Sequence, residues 1–240
     1  MRIDRCPLVD SGNPFSGGPS GVVPDAFAAA RAEMVELQIR RRGVFDPLVL
    51  RAMQQVPRHE FVPAALQARA YDDAPLPIGA GQTISQPYIV AAMSAALHLQ
   101  PSDRVLDVGT GCGYQASVLS RIVASVYSIE VRQDLALAAT QRLASLGFSN
   151  VHVHCGDGTL GVPEFAPFDA ILVAAAAPAI PQPLIDQLAE AGRLILPVGP
   201  PEHQQLILVV RHADRFDTTT LEPCQFVPLI GRHGWRDPLP

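Results

Sequence analysis

A chain of 240 residues, 48% of them apolar, is long enough for one sizeable α/β domain with an attachment and too short for two domains of average size. Its formal charge of −5, and the lack of any basic run longer than Arg40-Arg41-Arg42, argue against a nucleic-acid partner. The four cysteines, Cys6, Cys112, Cys155 and Cys224, form no C-x-x-C pair, and the longest apolar stretch, Ala170 to Ile180, is too short to span a bilayer. A soluble protein in a reduced, cytoplasmic setting, with no membrane partner, is expected.

Residues 1 to 24 are crowded with Gly, Pro and Ser and cannot bury enough apolar surface to offset the entropy of ordering, which predicts a disordered tail. Helical periodicity starts near Asp25 and runs through Met34, Leu37 and Ile39 to the basic triplet, which reads as a solvated helix end before Gly43. A second helix is predicted from the capping residue Asp46, through Pro47 in its first turn, to a stop at Val56-Pro57; Leu48, Val49, Ala52 and Met53 form its apolar face. From Arg58 to Pro87, prolines and glycines mix with Phe61, Tyr71, Leu76 and Ile78, the composition of a structured loop layer. Ile89, Val90, Met93, Ala96 and Leu97 then make a helix that leads into a sheet.

The next stretch, Arg104 to Gln115, reads Arg-Val-Leu-Asp-Val-Gly-Thr-Gly-Cys-Gly-Tyr-Gln. Val105, Leu106 and Val108 form a strand that Gly109, Gly111 and Gly113 end abruptly, and residues 114 to 121 can turn as a helix whose first amides face the loop. A dinucleotide fingerprint would need its third glycine where Tyr114 stands. The spacing is instead G-x-G-x-G, and with Asp107 two residues ahead it resembles the motif of S-adenosylmethionine (SAM) dependent methyltransferases of the Rossmann-like class. Glu130 closes the following apolar run, Val126 to Ile129, where a carboxylate can accept both ribose hydroxyls; capping the helix that follows is the competing role.

Leu135, Ala138, Ala139, Leu143 and Leu146 line a helix that Gly147 stops. Val151 to Cys155, Asp169 to Val173 and Leu194 to Pro197 read as strands, with a helix around Leu184 to Ala189, and the alternation implies a parallel sheet. Gln205 to Arg211 and Cys224 to Leu229 read as a terminal antiparallel pair joined by a turn-like segment. The expected fold is α/β, a Rossmann-like class I SAM methyltransferase with a mostly parallel seven-stranded sheet, flanking helices and an N-terminal helical extension. One domain over residues 25 to 240 is expected. It would hold N-terminal helices and a substrate loop (25 to 100), a SAM-binding core (101 to 200) and a C-terminal strand pair (201 to 240).

Gly156-Asp157-Gly158 follows a strand at the edge where ligands of open α/β sheets bind, so Asp157 could accept from an adenine amino group; it is also ordinary turn chemistry. His152, His154 and Cys155 lack the second ligand pair of a metal site, and no G-x-S-x-G elbow supports a hydrolase. Ala174 to Pro178 offers no polar group to hold a weakly nucleophilic amine. That points to a nucleophile needing little activation, such as a carboxylate.

Tyr71 to Pro87, containing Gly81-Gln-Thr-Ile-Ser-Gln-Pro87, resembles the protein-L-isoaspartate O-methyltransferases. So do Arg58-His-Glu-Phe-Val-Pro63, Val105 to Gln115, Val126 to Glu130, Gly156 to Gly158, Ala166 to Asp169, Pro197-Val-Gly199 and Phe226-Val-Pro-Leu229. The family uses SAM to methylate the free α-carboxylate of L-isoaspartyl residues in damaged proteins and peptides, initiating repair through a succinimide. The resemblance implies that Ser85 is the active-site serine and that Thr83 and Ile84 lie beside cofactor and substrate. It also implies cofactor contacts from Gly109, Gly111, Glu130, Asp157 and Gly158, direct in-line transfer without metal or general base, and action as a monomer. Cys112 departs from the family's usual Ser, and from the residues alone Ser85 could equally cap the following helix. A peptide-tailoring carboxylate methyltransferase and a non-catalytic SAM-binding module are the alternative readings.

Overall fold

The structure, a computed structural model, describes residues 25 to 213 and 215 to 236; the tail expected over residues 1 to 24 lies outside them. The chain enters as one helical run, α1 (Ala28–Glu33), a π-helical segment Met34–Ile39 and a 3-10 turn Arg40–Arg42, stopped by Gly43 with φ at 98°. Arg31 pairs with Asp25 and donates to the Gln54 carbonyl at 2.7 Å, which ties this run to α2 (Pro47–Gln55). Asp46 caps α2 through the amides of Leu48 and Val49, a contact worth about 1 kcal/mol.

The expected loop layer contains two 3-10 turns, Arg58–Phe61 and Ala64–Arg69, and an antiparallel hairpin of β1 (Leu76–Gly79) and β2 (Gln82–Ile84). The hairpin leads directly into α3 (Pro87–Ala96). Its register, with Leu76 opposite Ile84 and Pro77 opposite Thr83, buries Ile84 and leaves Thr83 on the other side.

Seven strands follow: β3 (Arg104–Val108), β4 (Ser125–Glu130), β5 (Val151–Cys155), β6 (Phe168–Val173), β7 (Leu188–Val198), β8 (Gln204–His212) and β9 (Arg215–Cys224). Their spatial order is β5-β4-β3-β6-β7-β8-β9, parallel through β7 and antiparallel over the last two pairings. The helices α4 (Tyr114–Ser120), α5 (Gln133–Ser145) and α6 (Gln182–Asp186) lie in the crossovers. Val105, Ala170, Leu172 and Ile195 pack in one core with Met34, Met53, Phe61 and Val90 of the N-terminal helices and loop layer. Leu106, Val108, Ile171, Val173 and Leu194 face a second core with Leu184 and Leu188. A sheet covered on both faces is what near-continuous apolar strands require. The strand order reverses at β3, which has β4 on one side and β6 on the other, and that reversal opens a crevice at the strands' C-terminal ends.

Two segments differ from the sequence reading. The helix expected to reach Ala189 ends at Asp186; Leu188 already pairs with Phe168, and a bulge at 189 to 192, with Ala191 at φ 57°, restores register by Arg193. The terminal strand pair is β8 with β9, so the segment read as turn-like is itself a strand. Its Arg215-Phe-Asp-Thr-Thr-Thr-Leu221 face is exposed at the sheet edge and shows no apolar alternation. The expected second strand, Cys224 to Leu229, instead crosses the C-terminal ends of the sheet, where the Ala176 amide donates to the Val227 carbonyl and the Leu229 amide to the Ala176 carbonyl, each at 2.8 Å.

Candidate active site

At the crevice, Gly109, Gly111 and Gly113 have φ of 94°, 53° and 90°, backbone that an L side chain adopts only with strain. The loop they form is fastened to the end of β4. Gly109 donates its amide to the Ile129 carbonyl at 2.9 Å, and Gly111 donates to Glu130 Oε2 at 2.8 Å. Glu130 Oε1 accepts the Arg132 amide at 3.0 Å, at the residue that opens α5. Glu130 therefore holds the turn that enters α5, whose N-cap Arg132 has no side-chain cap bond, and the same carboxylate braces the glycine loop and lines the cleft. On the adjoining wall, a Cβ at Gly158 would stand 2.6 Å from Val108 Cγ1, so no larger residue fits that close approach.

Asp107 sits beneath the loop, fully buried, with Oδ2 accepting the Ser128 hydroxyl at 2.7 Å. Ser128 and Thr110 share a hydrogen bond of 2.6 Å, which links the carboxyl to the loop, whereas Asp107 Oδ1 has no partner among the described residues. Burial pushes the Asp107 pKa up to about 7, with the Ser128 hydrogen bond opposing and the Glu130 charge adding. Asp107 does not line the cleft; it supports the loop from behind.

The cleft encloses about 810 Å³ of space, partly open to solvent. Thr83, Ile84, Ser85, Gly109, Gly111, Glu130 and Gly158, all expected at the site, line it. Asp157 departs from expectation. Its Oδ1 accepts the Thr159 amide and hydroxyl at 2.9 and 2.6 Å, its Oδ2 accepts the Arg232 amide at 2.7 Å, and it is not among the lining residues. Those bonds hold a C-terminal strap in which the Trp235 indole donates to the Ala176 carbonyl at 3.0 Å, and which brings Val227, Pro228, Leu229 and Ile230 into the cleft wall.

A second groove, about 870 Å³ and partly open to solvent, is lined by Arg42, Tyr88, Glu222 and Phe226 among others. Arg42 is exposed, as the solvated triplet predicts, yet it is also engaged. It stacks 3.5 Å from the Tyr88 ring centroid and pairs with Asp73 at 3.0 Å. Cleft and groove share four lining residues, Thr83, Ser85, Ala174 and Val227. Ser85 caps nothing: Gln86 is the N-cap of α3, without a side-chain cap bond, and the Ser85 hydroxyl makes no hydrogen bond within the described residues. Its carbonyl is held from the interior by Arg58 Nη2 at 2.7 Å, a contact that no local pattern signals.

Comparison with known proteins agrees with this geometry. The family model of protein-L-isoaspartate(D-aspartate) O-methyltransferase matches residues 29 to 234. A protein-L-isoaspartate O-methyltransferase of Roseiflexus castenholzii is 56% identical over 209 residues, 87% of this chain and 95% of the relative. One of Methanoculleus marisnigri is 54% identical over 212 residues, 88% and 96% of the two chains. Among solved structures, a protein-L-isoaspartate O-methyltransferase superposes with a TM-score of 0.79 at 30% identity, covering 85% of this chain and 67% of its own. A Plasmodium falciparum protein described as the same enzyme, solved with S-adenosyl-L-homocysteine, gives 0.72 at 27% identity, covering 84% and 98%. The chain belongs to the protein-L-isoaspartate(D-aspartate) O-methyltransferase family.

Proposed function

We propose that the chain methylates the free carboxylate of L-isoaspartyl residues in damaged proteins and peptides, with SAM as donor, and so initiates their repair through a succinimide. The observation that carries this reading is the meeting of two cavities at Thr83, Ser85, Ala174 and Val227, one bounded by a glycine loop and an acid, the other by side chains suited to a peptide. The cleft fits the cofactor, since glycines with positive φ let backbone approach it and Glu130 offers a carboxylate at the end of β4. When bound, SAM supplies a methyl group on a positively charged sulfur.

The chain's own residues do the rest. Glu130 accepts the ribose hydroxyls, Gly109 and Gly111 lie against the methionine portion, Gly158 leaves room at the far wall, and Thr83 and Ile84 close the cleft from β2. The Ser85 hydroxyl, unbonded among the described residues, donates to the substrate carboxylate and fixes one oxygen toward the cleft. A carboxylate is already ionised at neutral pH, so the protein's task is alignment, without a general base or metal. Ala174 and Ala175 on the opposite wall carry nothing that would activate an amine. Asp157 serves the site indirectly, by holding the strap that carries Val227 to Ile230.

The reading takes residues 25 onward as one methyltransferase domain, acting as a monomer in the cytoplasm on isoaspartyl proteins, with neither nucleic acid nor membrane as partner. Its supports are the core that joins Met34 to Val105 and the free thiols of Cys112 and Cys224. No helix among the described residues is long and apolar enough to cross a membrane. The test is incubation with methyl-labelled SAM and a synthetic isoaspartyl peptide. Base-labile label on the peptide, followed by succinimide, is expected; SAM binding with no transfer to the peptide would leave only a cofactor-binding module.

A further inference from the structure

Arg58 is fully buried, yet its guanidinium has no carboxylate partner among the described residues. Nε donates to the Ala70 carbonyl at 2.7 Å, Nη2 donates to the Ser85 carbonyl at 2.7 Å, and Nη1 has no hydrogen-bond partner among the described residues. The cation lies over the ring of Tyr114, 4.8 Å from its centroid, and Tyr114 lines the cofactor cleft. Arginine stays charged in such a place, and a charge taken out of water without an opposite partner is costly where an apolar side chain of similar volume would pack freely. Packing alone does not account for an arginine here.

What the guanidinium does, and an apolar side chain could not, is join two segments through their carbonyls. One is Ala70, at the end of the second 3-10 turn; the other is Ser85, at the handover from β2 to α3. The helix leaves that carbonyl available, since its first bond runs from the Val90 amide to Gln86, and Pro87 brings no amide of its own. The Ser85 peptide is therefore held from the interior by Arg58 while the residue itself lines both cleft and groove.

We infer that Arg58 is a positioning residue for methyl transfer, fixing the Ser85 peptide so that the hydroxyl meets the substrate carboxylate in line with the methyl group. This rests on the isoaspartyl methyltransferase reading of the same site. A fork donating to two carbonyls restrains both the distance and the plane of the peptide it holds, and an ångström-scale error there costs up to about a hundredfold in rate.

The test is a double-mutant cycle on the full chain with Arg58→Met, Ser85→Ala and both, reading kcat at saturating SAM, SAM affinity by calorimetry, and the thermal midpoint. Arg58→Met is expected to lower kcat on an isoaspartyl peptide by about tenfold or more with Ser85 present, and by less than about twofold in the Ser85→Ala background. SAM affinity should stay within about threefold, because residues of the cofactor cleft that bind it are untouched. Arg58→Lys, whose ammonium can still reach one carbonyl, should recover part of the rate. Equal factors in both backgrounds, whatever happens to the midpoint, would overturn the inference and leave Arg58 a structural residue. If Arg58→Met does not fold, the cycle is run with Arg58→Lys and judged by the same comparison. A parent protein that methylates no isoaspartyl peptide takes the function down with the inference; an active parent with equal factors removes the inference alone.

Discussion

Glu130→Ala removes an acceptor that holds the glycine loop and the start of α5 and that, in the proposed function, also receives the ribose of the cofactor. The Gly111 and Arg132 amides lie 2.8 and 3.0 Å from its oxygens, and the residue is only 6% exposed. Truncation leaves two amides short of a partner at the edge of an open cleft, where water replaces part of what is lost. With about 1 to 3 kcal/mol for a fully buried unsatisfied group, a net loss of roughly 1 to 2 kcal/mol is expected. For a chain of this length that lowers Tm by about 2 to 8 °C. Loss of the charge-assisted contact to the ribose should cost a further 2 kcal/mol or so of cofactor binding, about thirtyfold in affinity. Glu130→Gln keeps one acceptor but turns an NH2 toward the second amide, so it should lie between parent and Glu130→Ala in both respects. Scanning calorimetry gives the first quantity and titration with S-adenosyl-L-homocysteine the second. A Tm that falls as stated while affinity stays unchanged would reduce Glu130 to a structural brace and refute the cofactor assignment. Tight binding of NAD by the parent would point to a dehydrogenase.

Ser85→Ala should lower kcat/KM by about 10-fold to 100-fold, the worth of a hydrogen bond to a charged group, with stability within about 0.5 kcal/mol of the parent because the hydroxyl bonds nothing among the described residues. A melting point lowered with activity retained would mean that it serves the helix after all. Asp107 has a folded-state pKa raised by burial to about 7, so the folded state holds its proton more tightly than the unfolded one, and stability from this group is full at acid pH and lost as pH rises toward 7. Asp107→Asn, neutral throughout, should therefore gain on the parent by a margin that grows between about pH 4 and pH 7 and then levels. Urea melts at pH 5 and pH 8 check this, and a margin independent of pH contradicts it. Asp157→Ala releases the Arg232 amide, so trypsin should cut after Arg232 faster while SAM affinity changes less than about threefold. A large loss of affinity with the strap still protected would make Asp157 a cofactor ligand instead.

Legibility in the sequence followed contact range. The unit from β3 through the glycine loop to Glu130 was readable because its spacing is local and each glycine answers to a backbone demand at its own position. The Asp46 cap was readable for the same reason. The strap was not, since its anchor joins Asp157 to a backbone amide 75 residues away and follows from no periodicity. β9 escaped notice because an exposed edge strand of threonines has no apolar alternation to betray it. Arg42 looked like Arg40 and Arg41, which pair with Glu36 at the surface, until the fold brought Tyr88 and Asp73 against it. The residues alone allow Ser85 to cap the following helix, and the observed start of α3 after Gln86, with no side-chain cap bond, removes that role.

The central claim is that this site selects one carboxylate by position. An isoaspartyl peptide and its aspartyl twin share composition and charge and differ by a single backbone methylene, which alone is worth little in binding. Thr83, Ser85 and Val227 line both cavities, and in the proposed function a substrate held there presents the normal isomer's carboxylate off line, a displacement that costs about a hundredfold in rate. The measurement is kcat/KM for methyl transfer from labelled SAM to the matched pair. A ratio of about a hundred or more in favour of the isoaspartyl peptide is expected; equal rates on the two isomers would contradict the account.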